Sequence, residues 1–175
     1  QPSNVASNGL IDFVPVGKNK QAEIRYISEA QYEVLSSTLN VAVDFGDIGA
    51  TLKSSFKIFD SSCLPLIIFE VSRLLKQFRV FNAFYVDKKI GYYKNINVGV
   101  ATDIDDGLKV LTLYDADKLK MSEVETELYG LVEKYLDRKL DVSEITNSTF
   151  TITDLSAKGV DFFTPLINSR QSAIL

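Results

Sequence analysis

Residues 96–113 read INVGVATDIDDGLKVLTL, and the fold turns on how they are read. Ile96, Val98 and Val100 alternate with Asn97, Gly99 and Ala101, the period-two pattern of a half-buried strand. Asp105, Asp106 and Gly107 supply a turn, and residues 108–113 return as a second strand, which predicts a hairpin with a longer loop. The apolar face of such a hairpin needs cover, and the flanking sequence offers it on both sides. Upstream, Ser61 and Ser62 offer a cap and Pro65 suits a first helical turn, while Leu64, Ile67, Ile68, Val71, Leu74, Leu75 and Phe78 follow helical spacing. Downstream, Ser122 and Glu125 have capping-box spacing, and Val124, Leu128, Leu131, Tyr135 and Leu136 carry a helical stripe to about Arg138.

Farther out the pattern stays mixed. Residues 18–31 predict a first helix. Leu35, Ser37, Leu39, Val41, Val43 and Phe45 alternate with Ser36, Thr38, Asn40, Ala42 and Asp44, which predicts another strand with one solvated face. TFTITDL at residues 149–155 is β-branched and strand-like, and residues 162–167 and 172–175 read as further extended pieces. Strands and helices do not alternate as βαβ units, so the class is α+β, a mixed sheet with helices packed on it. Residues 1–12, with Gln, Pro, Ser, Asn and Gly, read as a linker or arm, leaving one domain over residues 13–175.

Composition narrows the functions open to that domain. With 46% hydrophobic and 24% charged residues the chain has the make-up of an ordinary globular domain. Its net charge is −4, and acids and bases alternate without a basic stripe, which speaks against nucleic acid or an anionic membrane surface as a partner. The longest apolar run, residues 63–69, is far short of the roughly 20 residues of a membrane span. No secretory signal is visible, and a single cysteine builds no disulfide framework. A reducing compartment is expected: the cytoplasm, or the mitochondrial matrix in a eukaryote. The chain contains no histidine, which removes the commonest general base near neutral pH and the commonest metal ligand together. No metal site is expected.

Other candidate positions have plain structural readings. Asp103, Asp105, Asp106 and Gly107 have the wrong spacing for a calcium loop and lack the bidentate Glu, so they read as a polar turn. Cys63 opens an apolar run without a histidine partner and reads as packing. Tyr85, Tyr92 and Tyr93 read as core and interface aromatics.

Three collinear segments carry a resemblance. FNAFYVDKKIGYYKNINVGVATDIDDGLKVLTLYDADKL, residues 81–119, is similar to a run of Val-Asn-Ala, a short strand, Tyr-Lys-x-Val-Asn-Ile-Gly-Val-Ala and Gly-Leu-x-Val. STFTITDLSAKGVDFFTPLINSRQSAIL, residues 148–175, resembles Thr-Phe-Thr-Ile-Ser-Asn-Leu-Gly followed by Phe-Thr-x-Ile-Ile-Asn-x-x-Gln-Ser-Ala-Ile-Leu. VPVGKNKQAEIRYISEAQ, residues 14–31, sits where an opening helix with a basic pattern is found. Together they resemble the catalytic domain of the 2-oxo acid dehydrogenase acyltransferases. The resemblance implies a chloramphenicol acetyltransferase-like fold and acyl transfer between a dihydrolipoyl thioester and coenzyme A. It also implies a homotrimer or larger core assembly, with lipoyl domains and other dehydrogenase-complex subunits as partners.

By the same resemblance Thr153 takes the position of the hydroxyl that stabilises the oxyanion. Threonine keeps the donor; read on its own, it is a residue of high β-propensity. Lys20 and Arg25 in the opening helix would face the phosphates of coenzyme A, against the plainer reading of a solvated helix face. Several positions depart from the pattern: Leu111 replaces a usual Pro, Thr153 and Asp154 stand for Ser-Asn, and Tyr26 takes a normally basic position. The family's His-x-x-x-Asp-Gly motif, which supplies the base, is not among these residues. The apolar end, Ala173, Ile174 and Leu175, reads as a strand interrupted part-way, so the chain is expected to be an incomplete domain, inactive alone. The competing expectation is a structural core protein that keeps the fold and has lost the base.

Overall fold

The computed structural model describes residues 15–33, 35–44, 46, 62–104 and 107–175. The elements with both ends among the described residues include the helices α1 (Lys18–Glu33), α2 (Leu64–Gln77) and α3 (Met121–Leu136) and the strands β1 (Ala83–Val86), β2 (Lys89–Tyr92), β3 (Val98–Asp103), β4 (Leu108–Leu113) and β5 (Phe150–Thr153). β1 and β2 form a hairpin of their own, while β4, β3 and β5 form a sheet in that order. β3 lies at its centre, antiparallel to β4 and parallel to β5. The chain therefore runs out along β3, back along β4, crosses over through α3 and returns on the far side of β3.

Burial explains this arrangement. In the β3–β4 register Val98 faces Leu113 and Val100 faces Leu111, so both strands turn their large apolar residues to one face. Phe150 and Ile152 of β5 extend that face, and Ile68 and Leu75 of α2 with Val124, Leu128, Leu131 and Tyr135 of α3 complete the core. The buried hydroxyls of Ser72 and Tyr135 find partners. Ser72 interrupts the α2 stripe fully buried, and its hydroxyl donates to the carbonyls of Phe69 (2.8 Å) and Ala116 (3.2 Å). The Tyr135 hydroxyl donates to the Gly107 carbonyl and accepts the Ile104 N–H (3.3 Å), tying the end of α3 to the β3–β4 loop.

Asn97, just before β3, joins three segments. Its side chain accepts the Asp115 N–H (3.1 Å) and donates to the Asn147 carbonyl (3.0 Å), and its own N–H donates to the Thr149 hydroxyl (3.1 Å). Asp115 and Asn147 both have positive φ, 47° and 62°, so these bonds hold two turns of intrinsically unfavourable backbone. Asn97→Ala is expected to cost about 2 kcal/mol, because it strands two backbone groups in a largely closed site. Urea unfolding checks this; an unchanged midpoint would mean that water replaces both bonds.

Several sequence expectations need correction. Residues 35–44 form no strand: Leu35, Leu39, Val41 and Val43 are all exposed, and Phe45 lies outside the described residues. Alternation only creates a strand face where another strand lies alongside, and none among the described residues does. α1 runs two residues beyond the expected end. The N-cap of α2 is Cys63, not a serine; Ser62 stands one residue earlier, its hydroxyl accepting the Leu64 N–H at 3.2 Å, and Ser61 lies outside the described residues. Leu74 and Phe78 fall outside the buried stripe and are exposed. The cap of α3 is not Ser122 with Glu125: the Glu123 carboxylate accepts the Lys120 N–H at 2.7 Å, two residues earlier. The helix ends at Leu136 and Arg138 is left-handed, φ 57°. Among the described residues 162–167 form no strand pairing, and of 172–175 only Ile174 bridges, in parallel, to Thr151. Cys63 is half-buried at the start of α2, not packed away in the core. The Asp105-Asp106 turn and residues 1–14 lie outside the described residues.

The β1–β2 hairpin was not marked by any periodicity. Its turn residues, Asp87 and Lys88, both have positive φ (48° and 60°) without the Asn-Gly pair that usually announces such a turn.

Candidate active site

The sequence FTIT of β5 places its residues on two faces by simple alternation. Phe150 and Ile152 enter the core, so Thr151 and Thr153 share the opposite face of the sheet. Across from them on β3 stand Gly99, paired with Thr151, and Ala101, paired with Thr153. The smallness of these two residues has a physical cause at Gly99. A Cβ there would lie 2.4 Å from Val110 Cγ1 and 2.8 Å from Ser148 Cβ, closer than any side chain tolerates.

The two threonines differ in what their hydroxyls do. Thr151 is fully buried; its hydroxyl donates to Gln171 Oε1 (2.9 Å) and accepts from Asn168 Nδ2 (2.8 Å). Thr153, the last residue of β5, is half-buried, and its hydroxyl has no hydrogen-bond partner among the described residues. Its backbone is fixed, the N–H donating to the Leu175 carbonyl at 2.7 Å. Asp154 beside it is committed locally, Oδ1 accepting the Ser156 N–H at 2.8 Å. Thr153 thus presents a free hydroxyl at the end of a pinned strand, which is what a hydrogen-bond donor to a developing negative charge requires.

Helix α1 lies at the same end of the sheet. β3 and β5 are parallel, so Thr153 sits at the end from which the β3–β4 loop leaves, and Glu23 Oε2 of α1 lies 3.5 Å from where a Cβ on Gly107 would be. Lys20 does not point a free charge at this region, since its ammonium is paired with Glu23 Oε1 at 2.7 Å. Arg25 is exposed and has no partner among the described residues, so it remains open to an anion. No hydrogen bond or ion pair links Lys20 or Arg25 to Thr153 among the described residues.

The Asn168, Gln171 and Ser148 side chains around Thr151 were missed in the sequence. A signal existed: alternation puts Thr151 on the same face as Thr153, and a buried hydroxyl demands partners, which the polar run Asn168 to Gln171 can provide. Tyr93 ties this run to the β1–β2 hairpin through its hydroxyl, which donates to the Arg170 carbonyl at 3.0 Å. Burial raises the Tyr93 pKa above that of an ordinary phenol, against a smaller opposing pull from the Arg170 guanidinium, which keeps the proton needed for that bond. Among the described residues no three His, Cys, Asp or Glu side chains gather where a metal could sit, and no helix is long and apolar enough to cross a membrane.

Comparison with known proteins agrees with this architecture. Residues 9–175 match the family model of the 2-oxoacid dehydrogenases acyltransferase catalytic domain. The acetyltransferase component of the pyruvate dehydrogenase complex of Mycoplasma capricolum is 30% identical over 174 residues, 94% of this chain and 39% of that protein, so the chain spans about two-fifths of this relative's length. The crystal structure of Azotobacter vinelandii dihydrolipoamide acetyltransferase superposes with a TM-score of 0.86 at 26% identity, over 99% of this chain and 74% of that one. The cubic core of a pyruvate dehydrogenase multienzyme complex gives a TM-score of 0.87 at 26% identity, again over 99% and 74%. The chain belongs to the 2-oxo acid dehydrogenase acyltransferases, matching their catalytic domain, and has the chloramphenicol acetyltransferase-like α+β fold of that family.

Proposed function

We propose that this chain provides the oxyanion side of a site that transfers an acyl group between a dihydrolipoyl thioester and coenzyme A, both acting as substrates. The observation that carries the reading is the Thr153 hydroxyl at the end of β5, unpaired among the described residues, in a chain of this family. When the thiolate adds to the thioester carbonyl, negative charge grows on oxygen, and a hydroxyl donor about 3 Å away lowers that barrier. The attacking thiol, with a pKa near about 8.5, needs a base to take its proton. With no histidine in these 175 residues, that base comes from outside them, from further along the same polypeptide or from a neighbouring subunit. A serine, a histidine and an asparagine were the residues investigated in the catalytic mechanism of the Azotobacter vinelandii enzyme, and Thr153 offers the same hydroxyl chemistry as the first.

Arg25 suits a phosphate of coenzyme A better than Lys20, because Lys20 would first have to leave Glu23. Assembly into a trimer or larger core, fed by lipoyl domains, fits a site whose base lies elsewhere and the relative that forms a cubic core. The missing histidine also favours a second reading, a structural core member without activity. Assaying the natural full-length protein for acyl-coenzyme A formation from an acyl-dihydrolipoyl donor separates them. Turnover supports transfer; coenzyme A neither bound nor acylated, in a protein that still assembles, supports the scaffold.

A further inference from the structure

We propose that Asn168, Thr151 and Gln171 form a positioning relay that sets the end of β5, and with it the Thr153 hydroxyl, for the chemistry; the catalytic part of this rests on the function proposed above. The hydrogen bonds run in one direction. Asn168 Nδ2 donates to the Thr151 hydroxyl (2.8 Å), that hydroxyl donates to Gln171 Oε1 (2.9 Å), and Gln171 Nε2 donates to the Ser148 carbonyl (3.0 Å) and hydroxyl (3.1 Å). The Ser148 carbonyl can only accept, which fixes the Gln171 amide with Nε2 toward Ser148 and Oε1 toward the Thr151 hydroxyl. Thr151 and Gln171 are buried, so the relay is shielded from competing water.

What the relay fastens is the segment that follows it. Gln171 N–H closes a turn onto the Asn168 carbonyl (3.1 Å) with Arg170 left-handed at φ 57°. Four residues on, Leu175 N–H donates to the Thr151 carbonyl (3.0 Å) and the Leu175 carbonyl accepts the Thr153 N–H (2.7 Å). The stretch Thr151 to Thr153 of β5 is therefore gripped by side chains at Thr151 and by backbone at both its ends. A one-residue slip of residues 173–175 would break the Leu175 bonds, and the relay opposes that slip, because Gln171 reaches both Ser148 and Thr151 from one place only. Thr153 lies two residues along, roughly 7 Å from Thr151 on the same face. None of the relay side chains reaches that far, so they act on it through the backbone.

The test uses the natural full-length protein with Thr151→Val, Gln171→Leu and the conservative Thr151→Ser. Amide hydrogen exchange is followed at Thr153 and Leu175 against core amides such as Val100 and Leu111, alongside kcat and KM for acyl transfer. Thr151→Val and Gln171→Leu are expected to speed exchange at Thr153 and Leu175 by about tenfold while the core amides keep their rates. They should lower kcat by about tenfold with KM within about twofold, and Thr151→Ser should restore both readouts. Exchange at Thr153 that is unchanged, or that rises only in step with the core, overturns the relay. If Thr151→Val does not fold, Asn168→Ala, which removes one bond from a half-exposed residue, carries the same comparison. Should Thr153→Ala transfer as fast as the parent, the proposed oxyanion role fails, and the exchange pattern still decides whether the relay exists.

Discussion

Thr153→Ala is expected to lower kcat for acyl transfer in the natural protein by about 10²–10³-fold. The loss belongs in kcat because the hydroxyl meets full negative charge only in the tetrahedral transition state; KM for coenzyme A should stay within about threefold. The substitution leaves the fold alone. Thr153 is half-buried, its side chain holds no hydrogen bond among the described residues, and the backbone bond to Leu175 survives in alanine. Thr153→Ser keeps the donor and should retain activity within about tenfold of the parent. Steady-state kinetics with an acyl-dihydrolipoyl donor checks all of this. A parental kcat in the alanine variant would remove Thr153 from the chemistry and return it to the role of a strand residue.

The largest stability effect is expected at Leu111. This residue is fully buried, pairs with Val100 across the β3–β4 ladder, and belongs to the core under α2 and α3. Leu111→Ala removes three heavy atoms from a close-packed site and is expected to cost about 2–5 kcal/mol, the upper end applying if the surrounding side chains cannot collapse inward. A lower denaturant midpoint with an unchanged slope is the predicted signature. A loss below about 1 kcal/mol would mean that the core relaxes into the space. The position also explains a departure from the family pattern. β4 is an edge of the described sheet, where a proline costs little pairing, while leucine adds apolar volume to the core.

The fold was legible where a segment's own side chains decide its burial. The β3–β4 hairpin, both core-facing helices and β5 follow from alternation and helical spacing. Residues 35–44 alternate as well as β3 does, yet a strand face exists only beside another strand. The β1–β2 turn uses Asp87 and Lys88 in left-handed backbone, which their identities do not announce. The α3 cap fell two residues earlier than expected because Glu123, not Glu125, reached the N–H of the cap residue. For the site, Thr153 could be placed at a strand end from TFTIT, and its role came from the family resemblance. Lys20 and Arg25 looked equivalent until Glu23 was seen to hold one of them.

By itself the sequence determined the α+β class, the apolar faces of the main elements, the family, and the absence of histidine from these 175 residues, because each is a property of residue type and spacing along the chain. Only the tertiary structure decided which of two neighbouring threonine hydroxyls is spent and which is left over. That depends on Asn168 and Gln171, 17 and 20 residues beyond Thr151. A hydrogen bond is made by whatever the folded chain brings within about 3 Å, and no local pattern encodes that approach.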